Sequence, residues 1–135
     1  MTETQKNLFD KACDVRKKAH APYSGALIGA AILMADGRIF TGCNVENASY
    51  GGTVCAERVA VFKAISEGAS KEIREVMVVS DASEAWPPCG FCRQVIAEFA
   101  TGSAMIHTAN LQGKMRSFLF KDIFPEAFTP EHLKG

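Results

Sequence analysis

Leu27-Ile28-Gly29-Ala30-Ala31-Ile32-Leu33-Met34, then Asp36-Gly37, then the segment 38–43, is the stretch that decides the fold. The unbroken apolar run suits a strand buried on both faces. Asp-Gly is a strong hairpin signal, so 38–43 reads as the returning strand. Upstream, Thr2-Glu3-Thr4-Gln5 has the form of a capping box, and Leu8, Ala12, Val15 and Ala19 recur at helical spacing. The spacing predicts a helix over 3–19, ended by Pro22. Downstream, a polar, glycine-containing segment at 44–52 leads into a second helix that begins near 53–55. That helix is apolar almost all round and so should be central, with Gly68 as its stop. Residues 76–79 read as a short buried strand, expected to be parallel because a helix precedes it. Beyond Pro87-Pro88 a third helix is expected from about Gly90 to Ala100, with Gly102 as its stop. Two further strands are expected at 105–108 and 115–119. These elements make one α/β domain over 1–135, a mixed sheet flanked by helices.

Composition narrows the partners. The chain has 135 residues, 47% of them hydrophobic, with Lys+Arg and Asp+Glu both at 15. A net charge of zero provides no long-range field toward a polynucleotide, and Arg16-Lys17-Lys18 suits the negative end of a helix better than a nucleic-acid patch. No apolar run approaches the roughly 20 residues of a membrane span, and the N-terminal residues lack the apolar core of a secretory signal. Five cysteines, an odd number, do not read as a secreted disulfide framework, so a reducing, cytoplasmic location is expected.

Cys55-Ala56-Glu57, and then Pro88-Cys89-Gly90-Phe91-Cys92, carry the chemistry. Both clusters fall at predicted helix N-termini, where unpaired N–H groups favour a thiolate. Cys89 and Cys92, one helical turn apart, can point the same way, and Cys55 supplies a third sulfur. Neither Cys13 nor Cys43 has a matching partner, and His20, His107 and His132 are scattered, so water is the natural fourth ligand. An open zinc position with a glutamate beside it suits hydrolysis. A closed structural zinc site, buried thiols or a redox pair are the alternatives. Three thiolates leave a zinc site with one net negative charge, and Arg58 is the side chain able to withdraw some of it.

The spacing matches the three-cysteine form of the zinc deaminase signature, Cys-x-Glu followed by Pro-Cys-x-x-Cys. With Ala21-Pro22-Tyr23-Ser24, Thr41-Gly42-Cys43-Asn44-Val45-Glu46-Asn47-Ala48-Ser49-Tyr50-Gly51 and Cys92-Arg93-Gln94-Val95, the chain resembles the small homotetrameric zinc-dependent cytidine deaminases. That resemblance implies a three-layer fold with a mixed five-stranded sheet. It also implies one Zn²⁺ per subunit on Cys55, Cys89 and Cys92, and Glu57 as the proton carrier. Asn44 and Glu46 would bind the ribose 3′-hydroxyl, and backbone around Ala56 would orient the base. Ala48 and Tyr50 would lie at a subunit boundary, and Phe128 would enter a neighbouring subunit's site. The implied reaction is hydrolysis of cytidine or deoxycytidine to the uridine form and ammonia, in pyrimidine salvage, with no nucleic acid or membrane partner.

One position departs from the family pattern. Ser24-Gly25-Ala26-Leu27-Ile28-Gly29 carries Ala26 where family members usually have a phenylalanine that packs on the pyrimidine. Trp86 or Phe91 is expected to refill the space. The alternative is a pocket that accepts a bulkier, N4-substituted cytidine or a nucleoside-like antibiotic.

Overall fold

The structure, a computed structural model, describes residues 1–134. Its five strands are β1 (Gly29–Met34), β2 (Ile39–Cys43), β3 (Ile73–Ser80), β4 (Ala100–Asn110) and β5 (Met115–Leu119). They form one sheet in the order β2-β1-β3-β4-β5. β1 runs antiparallel to both β2 and β3, β3 and β4 are parallel, and β5 is antiparallel to β4. The sheet is therefore mixed, as expected. β3 is parallel as expected: the helix before it joins it to β2, which runs in the same direction one strand away across β1, and its hydrogen-bonded parallel partner is β4.

The helices are α1 (Glu3–Arg16), α2 (Ala56–Ser66), α3 (Gly90–Ala97), α4 (Phe120–Ile123) and α5 (Pro130–Lys134). Side chains alternate across a strand, which sorts the core into two layers. Ala31, Met77, Val79 and Ala109 face α1, where Leu8 and Ala12 bury against them. Ile32, Val76, Val78 and Ile106 face the other side and meet Ala60, Val61 and Ala64 of α2, Ile96 of α3 and Phe120 of α4. Three layers result, with the sheet in the middle.

Local chemistry sets the ends of these elements. The capping box at Thr2 forms in both directions, Gln5 N–H donating to Thr2 Oγ1 and Thr2 N–H to Gln5 Oε1. α1 stops at Arg16, short of Ala19, because Lys18 and Ala19 N–H groups bond to the carbonyls of Val15 and Arg16, three residues back. The last turn thus tightens and leaves the α-helical ladder. α3 likewise ends at Ala97. Gly102, expected as its stop, lies inside β4, where the pairing jumps from Ile73↔Ala100 to Glu75↔Met105. The extra residues of β4 are accommodated in that irregular stretch.

Gly42 of β2 sits beneath the first turn of α2. A Cβ built there would come within 2.5 Å of Ala60 N and 3.0 Å of Val59 Cβ, so α2 lies on the strand with no room for a side chain. This contact sets the position of the α2 N-terminus, and with it Cys55 and Glu57.

Candidate active site

Two helix starts meet at one corner. Cys55 is the N-cap of α2 and Cys89 the N-cap of α3, both in extended backbone, and the Cys89 thiol turns back onto the first turn of its helix. Cys92 N–H donates to Cys89 Sγ at 3.4 Å. The sulfur atoms of Cys55, Cys89 and Cys92 all lie within 4.8 Å of one another, and those of Cys55 and Cys89 are 4.0 Å apart. Tetrahedral zinc with sulfur ligands at about 2.3 Å needs sulfurs roughly 3.8 Å apart, so the corner has the size for the ion. Soft thiolate donors also match zinc chemically. Cys13 and Cys43 lie elsewhere, and His107 is buried between Glu75 and Ser117, hydrogen-bonded to both at 2.7 and 2.8 Å.

The electrostatics of the corner divide its groups. Cys55 is pulled down to about 5, first by a hydrogen bond from Cys92 and further by Arg58. Cys92 is pushed up as the donor of that bond, with burial adding to the effect. Arg58 Nη2 lies 3.6 Å from Cys55 Sγ and 3.3 Å from the carbonyl of Thr53. Its guanidinium rests 4.1 Å above the ring of Phe91. Glu57, on the first turn of α2, is only 4% exposed, and burial pushes its carboxyl up to about 7.

A cavity of about 310 Å³ opens over this corner. Cys55, Glu57 and Cys89 line it together with Asn44 and Glu46, with Ala26 and Ala56 also on its wall. The roles of the last two polar groups are partly structural. Asn44 Oδ1 accepts from Ile28 N–H at 2.8 Å, and its Nδ2 donates to the Ala26 carbonyl at 2.7 Å. The amide thus extends the β1–β2 pairing by one rung and pins the segment that carries Ala26. One amide hydrogen and one lone pair remain free. Glu46 accepts from the N–H groups of Tyr23 and Ser24 and from the Ser24 hydroxyl, and that hydroxyl does most to hold its carboxyl below the ordinary range.

Tyr50 lines an adjoining cavity of about 370 Å³ that shares Ser24, Glu46 and Thr53 with the first. Ala48 and Phe128 line neither; Phe128 is 55% exposed and stacks on His132. Of the two aromatics expected beside Ala26, Trp86 lines the cavity, whereas Phe91 faces out beneath Arg58. Ser24 and Thr53 also line the cavity, although sequence reading assigned them no role. Their signal was adjacency alone: Ser24 lies two residues before Ala26 and Thr53 two before Cys55.

A thiolate corner at two helix starts, with a buried acid beside it and a cavity above, defines a zinc-binding α/β enzyme site. Residues 2–108 match the family described as the cytidine and deoxycytidylate deaminase zinc-binding region. The chain is 44% identical over 126 residues to the cytidine deaminase of Halalkalibacterium halodurans, covering 93% of this chain and 95% of that one. The fold is similar to the crystal structure of cytidine deaminase from Burkholderia pseudomallei (TM-score 0.87, 42% identity, 95% of this chain and 100% of that one). It is also similar to the cytidine deaminase of Mycobacterium tuberculosis (TM-score 0.79, 36% identity, 91% and 95% covered). The chain belongs to the cytidine and deoxycytidylate deaminase family. Among the described residues no helix is long and apolar enough to cross a membrane.

Proposed function

We propose that this chain catalyses the hydrolytic deamination of cytidine and deoxycytidine to uridine and deoxyuridine, releasing ammonia. The observation that carries this is Glu57, a buried acid lining the same cavity as Cys55 and Cys89. Cys55, Cys89 and Cys92 would hold Zn²⁺, which when bound acts as a Lewis acid and eases ionisation of water.

The remaining work falls to the chain. Glu57 takes a proton from the attacking water and delivers it to N3 of the base, which makes C4 electrophilic. A C4–O bond forms. Glu57 then carries the second proton to the amino group, the C4–N bond breaks and ammonia departs. A carboxyl raised to about 7 exchanges protons in both directions near neutrality. Asn44, with its spare amide hydrogen, and Glu46, with spare acceptor capacity, receive the sugar hydroxyl, and backbone at Ala56 orients the base. Arg58 offsets the excess thiolate charge.

Ala48, Tyr50 and Phe128 stand outside the main cavity of a single chain. Their reading is as groups that complete a neighbouring subunit's site in a homotetramer. Pyrimidine salvage in the cytoplasm is the setting that suits a nucleoside substrate. Trp86 walls the cavity beside Ala26, so cytidine itself is preferred over a bulkier N4-substituted base.

The deciding experiment measures ammonia release from cytidine, deoxycytidine and N4-substituted cytidines, with zinc content in parallel. Glu57→Gln should keep one zinc per chain and lose activity by about 100-fold or more. Loss of zinc in that variant would make Glu57 a ligand and overturn the mechanism.

A further inference from the structure

We propose that Trp86 is the side chain that packs against the base and sets base specificity. The inference rests on the deaminase function argued above and assigns one further residue to that site. Three observations on this chain carry it. Trp86 shares the cavity with Ala26, Ile28 and Val78, which offer only a methyl group and aliphatic carbons; among the described residues its indole is the only aromatic surface on the cavity wall. It lines the cavity together with Pro87 and Cys89, and Pro87-Pro88 alone separate it in the chain from the Cys89 thiol. Proline fixes φ near −65° and Pro87 restricts the backbone of Trp86 before it, so the main chain that carries the indole is stiff up to Cys89. Finally, the indole is 50% exposed although it is the largest apolar side chain in the molecule. A planar heterocycle sliding into the cavity covers that surface.

The geometry also explains why a small residue is tolerated at position 26. One wall of a slot for a flat base must be broad and apolar, and the other need only leave room. With the indole on the wall, a methyl group at Ala26 leaves that room. A large ring at 26 together with Trp86 would crowd the same space, so the two positions should trade against each other.

Trp86 is the single tryptophan of the chain, so its fluorescence reports on this position alone. Cytidine added to the zinc-loaded Glu57→Gln protein, which binds without turnover, should change that emission saturably. In steady-state kinetics Trp86→Ala should raise KM for cytidine by about 5- to 150-fold, the range that aromatic packing on a base confers, with kcat within a few-fold. Trp86→Phe should recover most of the loss. Ala26→Phe should raise KM in the unaltered chain and lower it in the Trp86→Ala background. An unchanged KM in Trp86→Ala, silent fluorescence at saturating cytidine, or a shift in oligomeric state in place of a KM effect overturns the inference while leaving deamination intact. Absence of cytidine turnover by the unaltered zinc-loaded chain overturns the function itself, and this inference with it.

Discussion

Among the described residues Glu57 is the only acidic side chain in the buried set, and its neighbour Arg58 places a guanidinium nitrogen 3.6 Å from Cys55 Sγ. A carboxylate out of water binds its proton more tightly, and a cation beside a thiolate favours the ionised sulfur. In the mechanism proposed above, adjacent residues on one helical turn therefore receive opposite tasks, Glu57 to carry protons and Arg58 to stabilise charge. If Arg58 tunes the metal, Arg58→Ala should weaken zinc by about 10- to 100-fold, read as the chelator concentration that strips the ion. An unchanged midpoint would reduce the guanidinium to packing on Phe91. Cys55, Glu57, Cys89 and Cys92 were legible from their spacing, since helix starts and a one-turn interval decide what those thiols can reach. Asn44 was not fully legible. Its amide is engaged with the backbone of Ala26 and Ile28, residues 16 and more positions away, and no local pattern encodes that bond.

At the level of elements, cysteines take the cap positions of α2 and α3 where Ser, Thr, Asp or Asn are usual. Cys55 makes no side-chain cap bond. The strength of that helix start is thus surrendered to the metal corner, and α2 is held in place by packing instead. Gly42 is where this packing is tightest. Gly42→Ala forces its Cβ against the backbone of α2 and should destabilise the fold by about 1–3 kcal/mol, measured by thermal or denaturant unfolding. Because the displaced turn carries Cys55 and Glu57, zinc affinity should fall with it. A variant as stable as the parent, with unchanged zinc retention, would show that α2 is positioned by other contacts. Where element reading failed, a long-range partner decided the outcome. Gly102 looks like a helix stop, yet pairing with β3 draws it into an irregular edge of β4.

For the whole molecule, the three layers leave Tyr50 75% exposed on the wall of the adjoining cavity. The C-terminal segment is tied back to α3 by Gln94 Nε2 donating to the Phe128 carbonyl at 2.8 Å, while the Phe128 ring stays outside the cavity. If that ring completes another subunit's site, sedimentation should give a tetramer. Phe128→Ala should then lower activity without loss of zinc. Mixing Phe128→Ala with Glu57→Gln subunits should restore part of the activity, because some sites would combine an intact Glu57 with an intact neighbouring Phe128. No recovery in exchanged mixtures would return Phe128 to the role of an anchor for its own tail.

By itself the sequence determined the α/β class, the capping box of α1, the 36–37 hairpin and the zinc deaminase chemistry of the 55–57 and 88–92 clusters. Each rests on residues close in the chain, where backbone preferences and side-chain reach act directly. Tertiary structure alone decided the strand order, the seating of α2 on Gly42 and the choice of Trp86 over Phe91 as the cavity's aromatic wall. Those outcomes depend on which surfaces the packed sheet leaves open. The side chain at position 91 is turned outward by the helix that carries Cys92, whereas position 86 precedes that helix and borders the cavity.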